Sequence, residues 1–467
     1  MHERKAIKSG IWFTASNFLI KGIGFITTPI FTRLLTKAEF GEFNNFTTWV
    51  NILLILTSLN LESSLIRARF DFEDDLDEYI FSMQVLSLLS TGIWFLFSVI
   101  FRGAFCSLFS VDDKYVNAMF LYLFFFPLIN LFQNMERFKY QYKYTVASSL
   151  IVSVGSSLLS VLLVMVMNDK LAGRIIGYVF PVIVLGLIIF IYYLIKIHKV
   201  YVRYWKYALP FALPFIPHLL SMLLLGGMDK VMIKHICGAE DLALYSLAYS
   251  VGSLITILVT SINNAYSPWL GEQLSQNNIN RVNGFSVKYV ALFVYMAVAT
   301  ILITPEILMI LGGQAYMDAI YVMPPVTAGC IMQFIYCMYV NVEQFEKKTT
   351  GMAIASMIAA AINGVLNAIF IPMYGYVAAA YTTFIGYLCL MLMHMFLVNR
   401  IGMREVYQNA RIICIAILSS VLIFAANPIL GNRILRYIIL AVYLVVGIAF
   451  MMKHRAYFQT ILSKGKK

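Results

Sequence analysis

The sequence predicts an all-α polytopic membrane protein. Of its 467 residues, 61% are hydrophobic and only 12% are charged, whereas soluble domains carry about 45–50% apolar and about 25% charged residues. A soluble chain of this length cannot enclose so much apolar surface, but lipid solvates the outside of membrane helices. The apolar residues also come in runs of about 20, the length that spans a bilayer as a helix.

By this length criterion the chain contains about fourteen transmembrane helices. The predicted spans are 11–33, 41–66, 79–101, 116–135, 144–167, 173–195, 207–228, 242–268, 285–310, 321–341, 351–371, 375–398, 410–427 and 434–452. These are predicted helices 1 to 14. A basic start leads directly into predicted helix 1 without a small-residue cleavage site, so we expect no cleavable signal peptide.

The basic residues predict the orientation. With the N-terminus in the cytoplasm, 24 of the 35 Lys and Arg residues lie in cytoplasmic segments and 10 lie on the opposite side. This bias predicts that both termini are cytoplasmic. It also explains the net charge of +12 as charge on short loops, so we expect the lipid bilayer, and not nucleic acid, as the partner of these residues.

An internal repeat predicts two lobes of six helices. LILTSLN at 54–60 resembles ILVTSIN at 257–263, and Ala-Glu at 38–39 recurs at 239–240. The offsets of 203 and 201 residues place predicted helix 2 over predicted helix 8. The basic segment 196–206 then joins the lobes. We predict lobes at 1–206 and 207–408 in a parallel pseudo-two-fold repeat, with an appended helix pair and tail at 409–467.

Motifs for catalysis and nucleotide binding are missing. The sequence lacks a GxxxxGK[ST] phosphate loop, and it lacks GxSxG, HExxH and CxxC. We therefore expect neither an enzyme nor a metal or cofactor site. A transporter without its own ATPase runs downhill or on an ion gradient, which leaves coupling to a proton or sodium gradient as the expected energy source.

Lys21 is the most informative single residue. It lies near the centre of predicted helix 1, about 15 Å from either end at 1.5 Å per residue. A charge at that depth costs about 3 kcal/mol or more unless it meets water, protein or a counter-ion. We predict that Lys21 binds an anionic group in a central cavity; the alternative is a lysine that reaches the interface or pairs within the protein.

Polar side chains on predicted helices 1, 2, 7 and 8 are further candidates for a substrate site. They can bond to sugar hydroxyls in a shared polar cleft, or they can bond helix to helix. They are Asn17, Asn51, Asn60, His218, Asn263 and Asn264.

Two arginines at the cytoplasmic end of predicted helix 2, Arg67 and Arg69, are candidates for gathering an anionic headgroup. The positive-inside rule is the alternative explanation for both. The acidic run 70–78 that follows lacks calcium-loop spacing, so we expect a solvated loop. We expect Asp229 near an interfacial helix end, and we interpret the serines of predicted helix 5 as small-residue helix packing.

Three stretches resemble polysaccharide flippases, the Wzx-like branch of the MATE-like (MOP) transporter superfamily. They are FTRLLTKAEFGEF at 31–43, DKVMIKHICGAEDLALYSLA at 229–248 and NGVLNAIFIPMYGYVAAAYTTFIGY at 363–387. In the last stretch we expect Pro372 to end predicted helix 11, and Gly375 with the following alanines to let predicted helix 12 pack closely. These motifs identify a fold and not a substrate.

The resemblance implies two lobes around a central cleft that opens alternately to each side. It implies a substrate consisting of an oligosaccharide on undecaprenyl pyrophosphate, moved to the outer leaflet of a bacterial inner membrane, with polysaccharide polymerase and chain-length machinery as partners. Lys21 would then meet pyrophosphate or acidic sugars.

Three other functions stay open. A multidrug exporter or a peptidoglycan-precursor flippase would belong to the same superfamily. An exporter of cationic drugs needs acidic residues in its cavity, whereas Glu62, Glu136 and Glu306 lie nearer the ends of predicted helices. A membrane glycan polymerase would need a large outer loop with arginines, which the sequence lacks.

The predicted orientation is testable with reporter fusions. Fusions after residues 200 and 405 should both report a cytoplasmic location, because an even number of helices precedes each. An external location for either would contradict the helix count.

Overall fold

The computed structural model describes residues 22–139, 141–346 and 349–453. These residues form helices and turns, with no strand among them. The helices are α1 (22–34), α2 (Lys37–Thr57), α3 (Leu65–Asp71), α4 (Leu76–Ile100), α5 (Arg102–Phe109), α6 (Asp113–Phe138), α7 (Tyr142–Val166), α8 (Lys170–Ile197), α9 (Val202–Ala212), α10 (Ile216–Ile236), α11 (Ala239–Ser275), α12 (Ile279–Gly312), α13 (Met323–Phe345), α14 (Thr349–Tyr374), α15 (Tyr376–Arg400), α16 (Asn409–Ala425), α17 (Asn427–Leu430) and α18 (Arg433–Lys453).

The described helices confirm a multi-pass membrane protein. Nine of those within the described ranges are long and apolar enough to span a bilayer, or ten if the bent segment α9–α10 is one span. The predicted total of fourteen is therefore not confirmed. Apolar side chains such as Ile93, Val166 and Val445 lie exposed on the helix surfaces, where lipid solvates them.

The described residues form two compact units. Unit 1 comprises those up to Leu247 together with Leu311–Gly313 and Ser356–Thr382. Unit 2 comprises Ala248–Ile310, Gln314–Ala355 and those from Thr383 onward. The lobe boundaries predicted at residues 206 and 408 stay predictions.

Small residues bring α7 and α8 together in unit 1, as the serine pattern predicted. Ser156 Oγ donates to the carbonyl of Tyr178 (3.0 Å), and Ser160 Oγ donates to the carbonyl of Arg174 (3.1 Å). A Cβ atom on Gly177 would lie only 2.4 Å from the backbone of Ser160. Only glycine therefore fits at this helix crossing.

The first family-like stretch has a structural explanation in unit 1. Thr36 and Glu39 cap the start of α2 reciprocally: the Thr36 amide donates to Glu39 Oε2 (2.7 Å), and the Glu39 amide donates to Thr36 Oγ1 (3.2 Å). A Cβ atom on Gly41 would lie 1.8 Å from the Ala239 carbonyl oxygen. The stretch therefore fixes how α2 begins and how closely it approaches the start of α11.

Two predicted spans are wrong as single straight helices. Predicted helix 2 breaks after α2, where Leu59 and Asn60 both adopt left-handed backbone angles, and resumes as α3. Predicted helix 7, 207–228, corresponds to the longer segment 202–236, which bends by 58° between Ser221 and Gly226. Pro217 and the Gly226–Gly227 pair flank this bend, and proline and glycine are common causes of helix kinks.

The expected end of predicted helix 11 is also wrong. α14 continues through Pro372 to Tyr374 and ends where Gly375 adopts a φ of 72°. A proline can lie in the last turns of a helix when the residues before it keep helical angles. The left-handed glycine, and not the proline, terminates the helix. Ala378, Ala379 and Ala380 are buried, as close packing requires.

The last helix, α18, packs against α12 in unit 2. Tyr295 of α12 and Tyr443 of α18 stack with ring centroids 4.4 Å apart. Each hydroxyl donates to the other residue's carbonyl at 2.9 Å. Arg436, buried at 2% exposure, donates to the Leu302 carbonyl (2.8 Å) and to Glu306 Oε1 (2.6 Å). These contacts attach α18 to α12 and place Glu306 in a structural ion pair.

The close crossing of α7 and α8 predicts that an alanine substitution at the crossing lowers stability, whereas one at an open position does not. Gly177→Ala should lower the thermal unfolding temperature of the purified protein, because overpacking costs about 1–3 kcal/mol. The matched control is Gly92→Ala in α4, where an added Cβ has no neighbour within 4 Å. It should leave the temperature unchanged or raise it, since alanine favours helix more than glycine does. Equal effects of both would contradict the close crossing.

Candidate functional site

The break after α2 interrupts one of the predicted spans of unit 1. Asn60 has φ 50° and ψ 35° and is buried, at 6% exposure. Its amide donates to Ser58 Oγ (3.2 Å), and its carbonyl accepts from the Ser63 hydroxyl (2.8 Å). Leu59 before it has φ 53°, which is strained for a bulky residue. Non-helical backbone at membrane depth is tolerated where it is buried in protein or lines a water-filled cavity.

A polar network continues from the break to α6. Glu62 follows the break on a 3₁₀ turn, Leu61–Ser64. The Asn130 amide donates to Glu62 Oε1 (3.2 Å), and the Asn134 amide donates to Asn130 Oδ1 (3.0 Å). The network links the segment after the break to α6 through side-chain hydrogen bonds. Glu62 and Asn130 were missed as candidates because the predicted span ran straight through the break and put Glu62 near its end.

The predicted cavity residues fall in different places. Lys21 and Asn17 lie outside the described residues. Asn51 is exposed on α2, Asn60 is at the break and His218 is on α10, all in unit 1. Their shared role in substrate binding stays a prediction.

The two remaining amides belong to α11 in unit 2. Asn263 Oδ1 accepts from the Asn341 amide of α13 (2.8 Å), and Asn264 is exposed. Asn263 therefore bonds helix to helix, one of the two roles open for these amides. Substrate binding by Asn263 and Asn264 stays a prediction.

Asp229 does not lie at an interfacial helix end, contrary to the expectation. It is 1% exposed within α10, which continues for seven more residues to Ile236. Its carboxylate accepts from the Tyr245 hydroxyl and from the Lys230 amide (2.8 Å). It is a buried carboxylate of unit 1, which a gradient-driven transporter can use.

A second buried polar cluster of unit 1 joins α14 to α15. Thr382 Oγ1 bonds to Asn367 Oδ1 and lies 2.9 Å from the Ala379 carbonyl oxygen. The Asn367 amide donates to Asn363 Oδ1 (3.2 Å). Since amides and hydroxyls replace apolar contacts here, this part of the third family-like stretch specifies how the two helices meet.

Of the two headgroup candidates, Arg67 is exposed and pairs with Asp71 at 3.4 Å. Arg69 lies over the ring of Phe70, 4.3 Å from its centroid. Both are on α3, the short helix after the break. Capture of an anionic headgroup by either stays a prediction.

The acidic run is not a freely solvated loop. Asp77 accepts from Lys139 (3.1 Å) and Lys196 (2.5 Å). Asp75 accepts from Arg203 (3.0 Å). The acidic run and the basic segment 196–206 therefore form a clasp at one end of unit 1. Charge complementarity between the two segments was visible in the sequence, but their spacing of more than a hundred residues hid the contact.

The clasp has an aromatic centre. The Phe72 ring lies 5.0 Å from Tyr204 and 4.9 Å from Tyr207, and the Trp205 indole donates to the Ser82 carbonyl (2.8 Å). The rings adjoin the ion pairs, because the buried Tyr204 donates its hydroxyl to Asp75 Oδ2 (3.3 Å). The basic segment 196–206 is therefore attached to unit 1 at several points.

The opposite end of unit 1 has a cavity of about 410 Å³ with an acidic lining. Glu39, Glu42, Asp112 and Asp169 line it together with Lys114. The Lys114 ammonium donates to Asp169 Oδ2 (2.8 Å), and this bond holds the pKa of Asp169 below its usual value. An ionised Asp169 and its acidic neighbours repel anions, so this cavity does not suit a phosphate group.

Solved structures of known transporters share this fold. The lipid II flippase MurJ, in an inward closed conformation, has a TM-score of 0.71 at 15% identity, covering 95% of this chain and 99% of its own. An inward-facing multidrug resistance MATE transporter has a TM-score of 0.58 at 14% identity, covering 85% of this chain and 98% of its own. A MOP superfamily transporter from Pyrococcus furiosus has a TM-score of 0.56 at 15% identity, covering 86% and 95%. The fold is that of the MOP transporters.

The sequence also shows the family. A model described as polysaccharide biosynthesis protein matches residues 6–274, and the chain belongs to that family. A Lsg locus putative protein of Haemophilus influenzae is 22% identical over 290 residues, 59% of this chain and 68% of its own. An uncharacterized membrane protein of Methanocaldococcus jannaschii is 20% identical, covering 94% of each chain.

The clasp predicts a local effect of Asp77→Asn. Removing the carboxylate that two lysines share should raise hydrogen exchange of backbone amides in 196–206 by about two- to fivefold, since exposed ion pairs contribute about 0.2–1 kcal/mol each. Glu73→Gln is the matched control, because Glu73 is exposed and has no ion pair with another described residue. Unchanged exchange in Asp77→Asn would mean that the aromatic centre alone holds the segment.

Proposed function

We propose that this protein is a flippase that moves undecaprenyl-pyrophosphate-linked oligosaccharide repeat units from the cytoplasmic to the outer leaflet by alternating access. The observation that carries the proposal is membership of the polysaccharide biosynthesis family together with a MOP transporter fold. The product would feed synthesis of O-antigen, capsule or exopolysaccharide. Polysaccharide polymerase and chain-length machinery are its proposed partners.

The interior of unit 1 supports a polar, lipid-linked substrate. The break after α2 and the neighbouring helix α6 bring hydrogen-bonding groups together at Asn60, Glu62 and Asn130, which supports a polar cargo. We propose that Lys21 meets the pyrophosphate and that the amides contact sugar hydroxyls. The lipid tail stays in the bilayer, so the protein needs no apolar pocket to hold it.

We further propose that the protein catalyses no covalent chemistry and draws on a proton or sodium gradient. The buried carboxylate of Asp229 supports a gradient-driven cycle, because a carboxylate in the membrane can bind a cation. The proposed location is the bacterial inner membrane with both termini in the cytoplasm.

A peptidoglycan-precursor flippase is the second candidate. The observation that favours it is the likeness to a lipid II flippase, whose TM-score of 0.71 exceeds the 0.58 of the MATE transporter. The family match favours the polysaccharide substrate. A multidrug exporter has only the weaker structural likeness in its support.

Deleting the gene in its host tests the function. We expect complete repeat units to accumulate on the lipid carrier, inaccessible from outside, while surface polysaccharide disappears, because only transbilayer movement is lost. Accumulated peptidoglycan precursor would support the second candidate. Changed drug sensitivity with normal glycan would support an exporter. Repeat units that reach the outer face unpolymerised would indicate a polymerase.

The same strain tests Lys21. Wild-type protein should restore surface polysaccharide, and Lys21→Ala at equal membrane expression should restore little, because the anion-binding group is lost. Lys37→Ala, which removes a lysine at the start of α2, is the matched control and should complement fully. Full complementation by Lys21→Ala would remove Lys21 from the site.

A further inference from the structure

An arginine near the start of α8 in unit 1 is held by two aromatic rings. The guanidinium carbon of Arg174 lies 3.4 Å from the centre of the Phe31 ring of α1 and 4.3 Å from that of the Phe43 ring of α2. Phe31 and Phe43 are the first and last residues of the first family-like stretch, and both are buried. The rings fix the position of the cation but accept no conventional hydrogen bond from it.

The donors of this guanidinium have no acceptor in the part of the chain that the structure describes. The Nε atom of Arg174 is buried without a hydrogen-bond partner. Both Nη atoms also lack a partner among the described residues, but they retain accessible surface. A guanidinium has five N–H donors and no acceptor of its own. The fork formed by the two Nη atoms is therefore available to a ligand.

The carboxylates at this end of unit 1 are engaged elsewhere. Asp169 accepts from the Lys114 ammonium (2.8 Å). Glu42 pairs with Lys234, and Glu39 caps the start of α2. None of the ion pairs within the described ranges includes Arg174.

The rest of the sequence offers one further acidic side chain, Glu3, which lies outside the described residues. The predicted orientation places Glu3 in the cytoplasm and the start of α8 on the outer side. A cation within a membrane protein is costly without a counter-ion or water. An anion from outside the chain would lower that cost for Arg174.

The depth of Arg174 indicates which anion meets it. Arg174 follows Lys170, the first residue of α8, by four positions, which is about 6 Å along the helix. The headgroup region adds about 5–8 Å to each side of the hydrocarbon core. Arg174 therefore lies at the depth of lipid phosphate groups. A planar guanidinium fork matches phosphate with two parallel hydrogen bonds.

We propose that Arg174 binds the phosphate of a lipid headgroup at the end of unit 1 opposite the clasp. The phosphate has two sources, a polyprenyl pyrophosphate or an ordinary phospholipid. In the first case, which rests on the proposed function, Arg174 receives the cargo pyrophosphate after it has passed Lys21 and reached the outer leaflet.

Arginine modification tests the site in the unaltered chain. The full-length protein in detergent is treated with phenylglyoxal, and the adducts on each arginine are quantified by mass spectrometry. Farnesyl pyrophosphate at about ten times its dissociation constant should slow modification of Arg174 about tenfold, because it occupies the fork. Arg102 is the internal control. It donates to the Asp113 carbonyl (2.7 Å) and to Asn117 Oδ1 (3.1 Å), so its modification should not change.

Two further probes identify the source of the phosphate. Farnesol should give no protection, and equal protection by farnesol would contradict phosphate binding. Protection by phosphatidylglycerol that equals that by farnesyl pyrophosphate would support the site but overturn its preference for the cargo. The proposal as a whole is overturned if neither phosphate-bearing lipid protects Arg174, or if phenylglyoxal does not reach it.

Substitutions separate ligand binding from packing. Arg174→Gln should weaken farnesyl pyrophosphate binding about ten- to a hundredfold, since a charge-assisted contact is lost. Arg174→Lys retains the charge without the planar fork and should weaken it less. Arg102→Gln is the matched control and should bind as wild type does. Lower thermal stability of both Arg174 variants with unchanged affinity would show a packing role only and overturn the proposal.

Transport distinguishes this inference from the proposed function. In proteoliposomes with a fluorescent undecaprenyl-pyrophosphate oligosaccharide, Arg174→Gln should flip the lipid more slowly than wild type, whereas Arg102→Gln should match wild type. Normal flipping by Arg174→Gln would overturn the role of Arg174 in transport and leave the proposed function intact. Absence of flipping by wild type would contradict the proposed function, while protection of Arg174 in the labelling experiment would still support the phosphate site.

Discussion

The obligation to satisfy every backbone amide and carbonyl inside a membrane is the constraint on which the rest of this structure depends. Within lipid only a continuous helix meets it alone, which is why the described chain is so uniformly helical. Each interruption therefore needs local partners. At the break after α2 those partners are the Ser58 hydroxyl and the Ser63 backbone and hydroxyl.

The same constraint explains how the helices pack. Lipid solvates apolar side chains as well as protein does, so association depends on close contact and interhelical hydrogen bonds. Gly177 and Ser160 bring α7 and α8 together in unit 1 through both means. In unit 2 the mutual tyrosine bonds between α12 and α18 have the same role, although they require larger side chains.

Polar residues are also buried inside both units. Glu62 beside the break and the pair formed by Glu343 and His394 contribute less to packing than apolar residues of the same size would. The first accepts a hydrogen bond from the Asn130 amide of α6. In the second, Glu343 Oε1 lies 2.8 Å from His394 Nδ1.

The sequence by itself determined the membrane class, most of the spans and the family. Apolar run length is a local property, and lipid imposes it on each helix separately, so α4, α6, α7, α8 and α15 lie close to their predicted bounds. The serine pattern on α7 was likewise readable, because one helix face shows it. About Lys21 the sequence offers only its depth in predicted helix 1.

Only the tertiary structure decided the rest. The break at Asn60, the bend before Gly226 and the extension of α14 through Pro372 were not predicted, since an apolar run looks the same whether its helix is straight or broken. The clasp of Asp77 with Lys196 and the pairing of Glu343 with His394 join residues that are 119 and 51 positions apart. Periodicity is local, whereas these contacts form only when folded helices bring distant side chains within hydrogen-bonding distance.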